Sequence, residues 1–190
     1  MITDATYYTI GGLKIPNAVN GNAGAPNNAL ASDLDFIIVK YERPLLIGAI
    51  GGKRYLELES AMEDLENADE KWKNLVNGTN YEKDGLTFIW DGLRGDNKDS
   101  FVANYVYCHY LRFDEIQYSS TGMTILGVKN GDNASFLPKY VSSWNSFLRG
   151  YQGEGANPVS LEKFLADHES DYPLDGHVFK KHSPVNRFGI

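Results

Sequence analysis

Three stretches of the chain hold residue types able to do chemistry. Gly48-Ala49-Ile50-Gly51-Gly52-Lys53 gathers glycines and a lysine in the manner of a phosphate cradle. Such a loop needs a glycine five places before the one that precedes the lysine, and a Ser or Thr after the lysine to hold magnesium. Ile47 and Arg54 stand there instead, so nucleotide binding is not expected. Cys108 beside His109 offers a nucleophile and a base, but both fall in a helical pattern. Neighbours on a helix point about a quarter-turn apart, which turns the pair away from each other and favours a core thiol. His168, His177 and His182, with Asp171 and Asp175, are metal-ligand types at a spacing that matches no zinc pattern. Paired carboxylates for glycoside chemistry need an apolar setting for one member, and none of the 25 acids stands out in one. The expectation is a protein that is not an enzyme, with no catalytic residue, cofactor or metal.

The elements that position these residues follow from hydrophobic period and turn residues. Residues 1–31 form a block of their own, with no charge between Lys14 and Asp33 and with Asn, Ala, Gly and Pro dominant. Few side chains there offset the entropy of ordering, so the block reads as an extended N-terminal arm, either a floppy terminus or a segment that becomes ordered against a neighbouring subunit. Ser32 is placed as an N-cap, with Asp33 and Asp35 in the first turn. Leu34, Phe36, Ile37, Val39 and Tyr41 are assigned to the buried side of that helix, and Pro44 predicts a break or kink at Arg43. Residues 53–66 read as an amphipathic helix on Leu58, Met62 and Leu65, and 69–76 as a short helix carrying Trp72, Leu75 and Val76.

Asp84-Gly85 between two β-rich runs predicts a two-stranded ribbon that packs through Phe88 and Trp90. Residues 96–117 hold the densest aromatic run and read as the central helix. Residues 119–133 read as a projecting β-hairpin: Thr124, Ile125, Leu126 and Val128 form strand, and Gly122, Gly127 and Asn130-Gly131 form turns. Asn133 or Ser135 caps a last long helix with Pro138 in its first turn and Val141, Trp144, Phe147 and Leu148 on its apolar side. Residues 152–190 read as a C-terminal tail with one short helix, capped by Ser160. The expected fold class is mainly α: a helical bundle of about four to five helices with a small β-ribbon and a projecting β-hairpin. A body over 32–151 carries extended arms at both ends.

At 190 residues the chain suits one domain plus extensions. A formal net charge of −7 argues against broad nucleic-acid binding, which needs a basic patch to displace counterions. A single cysteine leaves no internal disulfide framework and fits a reducing compartment. The start lacks the basic region and apolar run of a signal peptide, and no apolar run nears the ~18–20 residues of a membrane helix. No membrane partner is expected. Twelve tyrosines favour protein–protein contact surfaces, with a Tyr-heavy core as the alternative.

The order of parts from Asp33 to Tyr151 resembles the head-to-tail connector (adaptor, or ring) proteins of tailed bacteriophages, and is similar to those of crAss-like phages of Bacteroidetes. The resemblance is carried by YERPLLIGAIGGKRYLEL, the helix with Trp72, Lys73, Leu75 and Val76, and the YEKDGLTFIWDGLRG ribbon. It continues through SFVANYVYCHYLRF, the hairpin SSTGMTILGVKNGDNAS and the final helix. What it implies is a structural virion protein at the portal vertex, made in the host bacterial cytoplasm. The implied form is an oligomeric, dodecameric ring that joins the portal to the tail and extends the DNA channel. Implied partners are further copies of itself, the portal protein and other neck or tail rings, with phage DNA passing transiently and without sequence preference.

In such rings the hairpin and termini reach neighbouring proteins. The expected interface residues are therefore Thr121, Gly122, Met123, Thr124, Ile125 and Lys129 in the hairpin, Tyr7 and Tyr8 in the first arm, and Phe179, Lys180, Lys181, Arg187 and Phe188 in the second. The competing readings are a small adaptor module that binds a host or phage protein, and a phage-encoded hydrolase using His109 or the tail histidines.

Overall fold

The computed structural model describes residues 1–15, 18, 28–119, 122–125, 137–153 and 157–184, with backbone alone for 28–33, 113–119 and 122–125. The chain is mainly helical. In order come α1 (Asn28–Ile50), α2 (Gly52–Ala61), α3 (Glu70–Asn77), β1 (Thr79–Lys83), β2 (Leu86–Trp90), α4 (Phe101–Glu115), β3 (Ile116–Ser119), β4 (Gly122–Ile125), α5 (Leu137–Gln152) and α6 (Leu161–Asp167). Among the described residues no helix is long and apolar enough to cross a membrane.

Helix α1 starts earlier than its sequence signals and does not stop at its proline. Ser32 lies inside it, so the predicted cap is corrected, and the helix runs on through Pro44. A proline inside a helix loses one hydrogen bond and crowds the preceding turn, at a combined cost of about 3 kcal/mol. Pro44 stands on the exposed side, while Leu45, Leu46, Ala49 and Ile50 are buried and hold the last two turns in place. Gly51, at φ 80°, ends the helix and opens α2. The buried stripe of α1 is Leu34, Ile37, Ile38, Leu45 and Leu46, whereas Phe36 and Val39 are 59% and 52% exposed. Those two belong to the outer face, not the buried one, because 34, 37, 38, 41 and 45 follow the helical period and 36 and 39 fall off it.

The ribbon forms as its turn dictates. Asp84 and Gly85 both take positive φ, 53° and 74°, and close a ladder pairing Thr79 with Trp90 through Lys83 with Leu86. The ribbon packs on the body through the buried Trp90, whose indole N–H donates to the Leu75 carbonyl at 3.2 Å. Gly78 and Gly92 permit the close pass of α3 against the ribbon's exit, since a Cβ at Gly92 would lie 2.4 Å from the Gly78 nitrogen.

Two joined cores result. The larger holds Leu46, Leu58, Leu75, Trp90, Val102, Phe147, Tyr151, Leu161 and Phe164. The second holds Tyr7, Tyr8, Leu13 and Ile15 against Leu34, Ile37 and Ile38 of α1 and Ala103, Val106 and Tyr107 of α4. Helix α4 serves both and is the central helix that its aromatic run predicts. Helices α4 and α5 run antiparallel in close contact, with Gly150 set directly against Phe101. The short α6 is capped as expected: Ser160 Oγ accepts from the Lys163 amide.

Candidate interface surfaces

The residues whose types could do chemistry are taken up by packing. Cys108 is 1% exposed, its thiol directed at the Tyr140 carbonyl at 3.7 Å, and burial pushes its pKa up to about 12. It is a core thiol. His109 stacks on Tyr41 with ring centroids 3.8 Å apart, and its Nε2 is buried with no hydrogen-bond partner among the described residues. Burial, then the nearby Arg112, His182 and Lys40, push its pKa down to about 4. The tail histidines are dispersed. His168 Nδ1 lies 3.0 Å from the Phe164 carbonyl, His177 Nε2 lies 3.0 Å from the Gly48 carbonyl, and His182 sits among Tyr105, Trp144, Phe147 and Tyr151. Among the described residues no group of His, Cys, Asp or Glu is arranged to hold a metal ion. The glycines of the 48–53 stretch serve the α1–α2 corner and the approach of residues 177–180 to it.

The terminal segments are packed onto the body wherever they are described. Tyr7 and Tyr8, expected to face a partner, are 8% and 0% exposed, and this corrects their assignment. The reason lies far away in sequence: α1 and α4 leave an apolar trough that the two rings fill, and the Tyr8 hydroxyl reaches the Ala103 carbonyl. The buried Glu42 carboxylate clamps the start of the chain, accepting from the amides of Ile2 at 2.6 Å and Thr3 at 3.0 Å and from the Thr3 hydroxyl at 2.9 Å.

At the other end, residues 177–183 cross α1 and α5 as a strap. The Lys180 amide donates to the Gly48 carbonyl at 2.9 Å, the His182 amide to Gln152 Oε1 at 2.7 Å, and Trp144 Nε1 to the Ser183 carbonyl at 3.0 Å. Phe179 packs half-buried on Tyr151 of its own chain at 4.7 Å, so its ring is turned inward. Lys180 and Lys181 remain exposed, the latter paired with Glu162 at 2.8 Å. Arg187 and Phe188 lie outside the described residues.

Two β ladders supply the open hydrogen-bonding edges. Strand β3 follows α4 without a break, so the last residues assigned to the predicted helix instead become strand. It pairs antiparallel with β4, from Ile116 opposite Ile125 to Ser119 opposite Gly122. Gly122, Met123, Thr124 and Ile125 of the expected interface thus form β4, while Thr121 and Lys129 lie outside the described residues. Each sheet has only two strands, so each strand keeps one outer edge without a partner strand among the described residues. In the β1–β2 ribbon the two edges differ. That of β2 is covered by residues 157–159: the Ile89 amide donates to Asn157 Oδ1 at 2.8 Å, and the Ile89 carbonyl accepts from Val159 at 2.9 Å. Among the described residues the β1 edge has no such cover.

The ribbon is fastened to α6 through Asp167, which accepts from Tyr81 at 2.7 Å, Lys83 at 2.8 Å and Lys163 at 2.9 Å. Burial alone would raise this carboxyl; the three donors outweigh it and hold its pKa down at about 2. No family model, curated protein or solved structure matches the chain.

Proposed function

We propose that the chain is a structural connector of a tailed bacteriophage: it forms a ring at the portal vertex, joins the portal to the tail and continues the DNA channel. The observation that carries this reading is α4, a core helix that ends directly in a two-stranded ladder whose outer edges are open. A rigid body that presents backbone donors and acceptors at its end is suited to assembly by strand addition. The resemblance of the ordered sequence features to those of phage connectors points the same way. The net charge of −7 suits a channel wall along which DNA slides without being held. The work assigned to the chain is structural, and no step of chemistry is assigned to it.

Negative-stain microscopy and mass measurement of the purified chain, alone and mixed with the portal of the same phage, test the proposal. Rings that stack on the portal are expected. A chain that stays monomeric and ignores the portal would overturn it.

A further inference from the structure

We infer that the outer edge of β1 accepts an added strand in the assembled ring, and that its occupant is the β3–β4 hairpin of the next copy of this chain. The inference rests on the connector reading and names the contact that would close its ring.

The acceptor follows from hydrogen-bond direction. The backbone groups of Ile89 and the Thr87 carbonyl turn away from β1, toward Asn157 and Val159. Residues directly opposite each other in an antiparallel ladder form the same kind of pair, both turned inward or both outward. Asn80 lies opposite Ile89 and Glu82 opposite Thr87, so Asn80 and Glu82 turn their N–H and C=O away from β2. Among the described residues the single contact on that side is a long one, from Thr79 Oγ1 to the Asn80 carbonyl at 3.4 Å. Asn80 and Glu82 are both exposed. One edge of the ribbon is thus closed group by group, and the other is left as a template for pairing. Lys83, the cation that would guard this edge, is drawn aside to Asp167.

The donor follows from placement and size. The ribbon packs at the N-terminal end of α4, where the Trp90 and Phe101 rings lie 6.1 Å apart. The hairpin leaves the other end, at Ile116. Fifteen residues of helix hold the two about 22 Å apart, so a hairpin is held away from its own ribbon. The hairpin strands have four residues and β1 has five, which matches them in length. Unlike surfaces at opposite ends of one rigid helix join head to tail, and head-to-tail contacts close into rings when the rotation between copies allows.

Two variants separate the partners. Asn80→Pro with Glu82→Pro removes two outward N–H groups and leaves the β1–β2 ladder its own bonds, which proline on an edge strand allows. A second variant replaces residues 117–131 by a short flexible linker. Each is expected to lose self-assembly while keeping the wild-type helical signal. Mixed together they should give a heterodimer and nothing larger, because one retains only the donor and the other only the acceptor. As a check on the intact edge, Asn80→Cys and Thr124→Cys in one chain, treated with a short bis-maleimide, should yield a ladder of covalent oligomers.

Rings formed by either assembly variant, a mixture that stays monomeric, or a cysteine pair that gives no cross-links would overturn the inference and leave the connector reading standing. A wild-type chain that is monomeric with and without portal overturns the connector reading itself, and this pairing with it.

Discussion

His109 joins an aromatic stack to an unsatisfied nitrogen. Its ring is well placed against Tyr41 and Tyr105, yet its buried Nε2 has no partner among the described residues. A buried, unpaired polar atom costs about 1–3 kcal/mol. Its folded pKa, about 4, lies below the unfolded value near 6.5, so the unfolded chain takes up the proton first as pH falls. The stability it contributes is therefore full above the unfolded pKa and is lost as pH falls through that window toward the folded pKa, by on the order of 2–3 kcal/mol. His109→Phe keeps the stack and removes both the nitrogen and the titration. Urea unfolding should find it more stable than wild type, with a larger margin at about pH 5 than at about pH 8. Cys108 follows the same logic of burial. With its pKa near 12, the thiol should stay unreactive toward a disulfide reagent at about pH 8 in the folded chain and react fully in denaturant, which a colorimetric thiol count measures.

Elements are held by a few close approaches. Glu42 fastens residues 1–3 to α1, and the buried tyrosines behind it depend on that attachment. Glu42→Ala leaves the Ile2 and Thr3 amides unpaired and should lower stability by about 2–3 kcal/mol, read from denaturant midpoints. Loss of amide protection confined to residues 1–15 would accompany it in hydrogen exchange. Between α4 and α5 the spacing is set by Gly150, where an added Cβ would lie 2.7 Å from the Phe101 Cβ. Gly150→Ala should cost about 1–3 kcal/mol despite the better helix propensity of alanine, because two packed helices must move apart to admit the methyl group. A thermal melt that rises on this substitution would contradict the close packing.

At the scale of the molecule, the described terminal segments pack on the chain's own core, and the connector proposal assigns the ladders to partners. The strap over Gly48, Trp144 and Gln152 and the N-terminal clamp at Glu42 consume the polar groups of both ends where they are described. Among the described residues the outward features include the β1 edge, the outer edges of the β3–β4 ladder and the outer face of α1 with Phe36 and Val39. An assembly joined by backbone strand pairing depends little on screened charge. If the proposed rings form, raising salt from about 0.1 to about 1 M should therefore leave them intact by light scattering, whereas rings held by exposed ion pairs would dissociate.

What the sequence by itself determined is whatever rests on short-range physics. Asp84-Gly85 dictates the ribbon turn because both residues tolerate positive φ. Ser160 dictates the start of α6 because its hydroxyl can reach an amide three residues on. The aromatic period of α4 marks the central helix, and Cys108 falls inside it as a core thiol. Only the tertiary structure decided the rest. Tyr8 is buried by Ala103 and its neighbours, 95 residues away, and nothing in a stretch poor in charge announces that trough. Pro44 stays helical because the opposite side of its turn is buried, a fact of packing that a local rule cannot contain. The open β1 edge is likewise a property of what Asn157 and Val159 cover and what they leave uncovered. Periodicity places a side chain on a face. Whether that face meets water, its own chain or another copy is settled by segments distant in sequence.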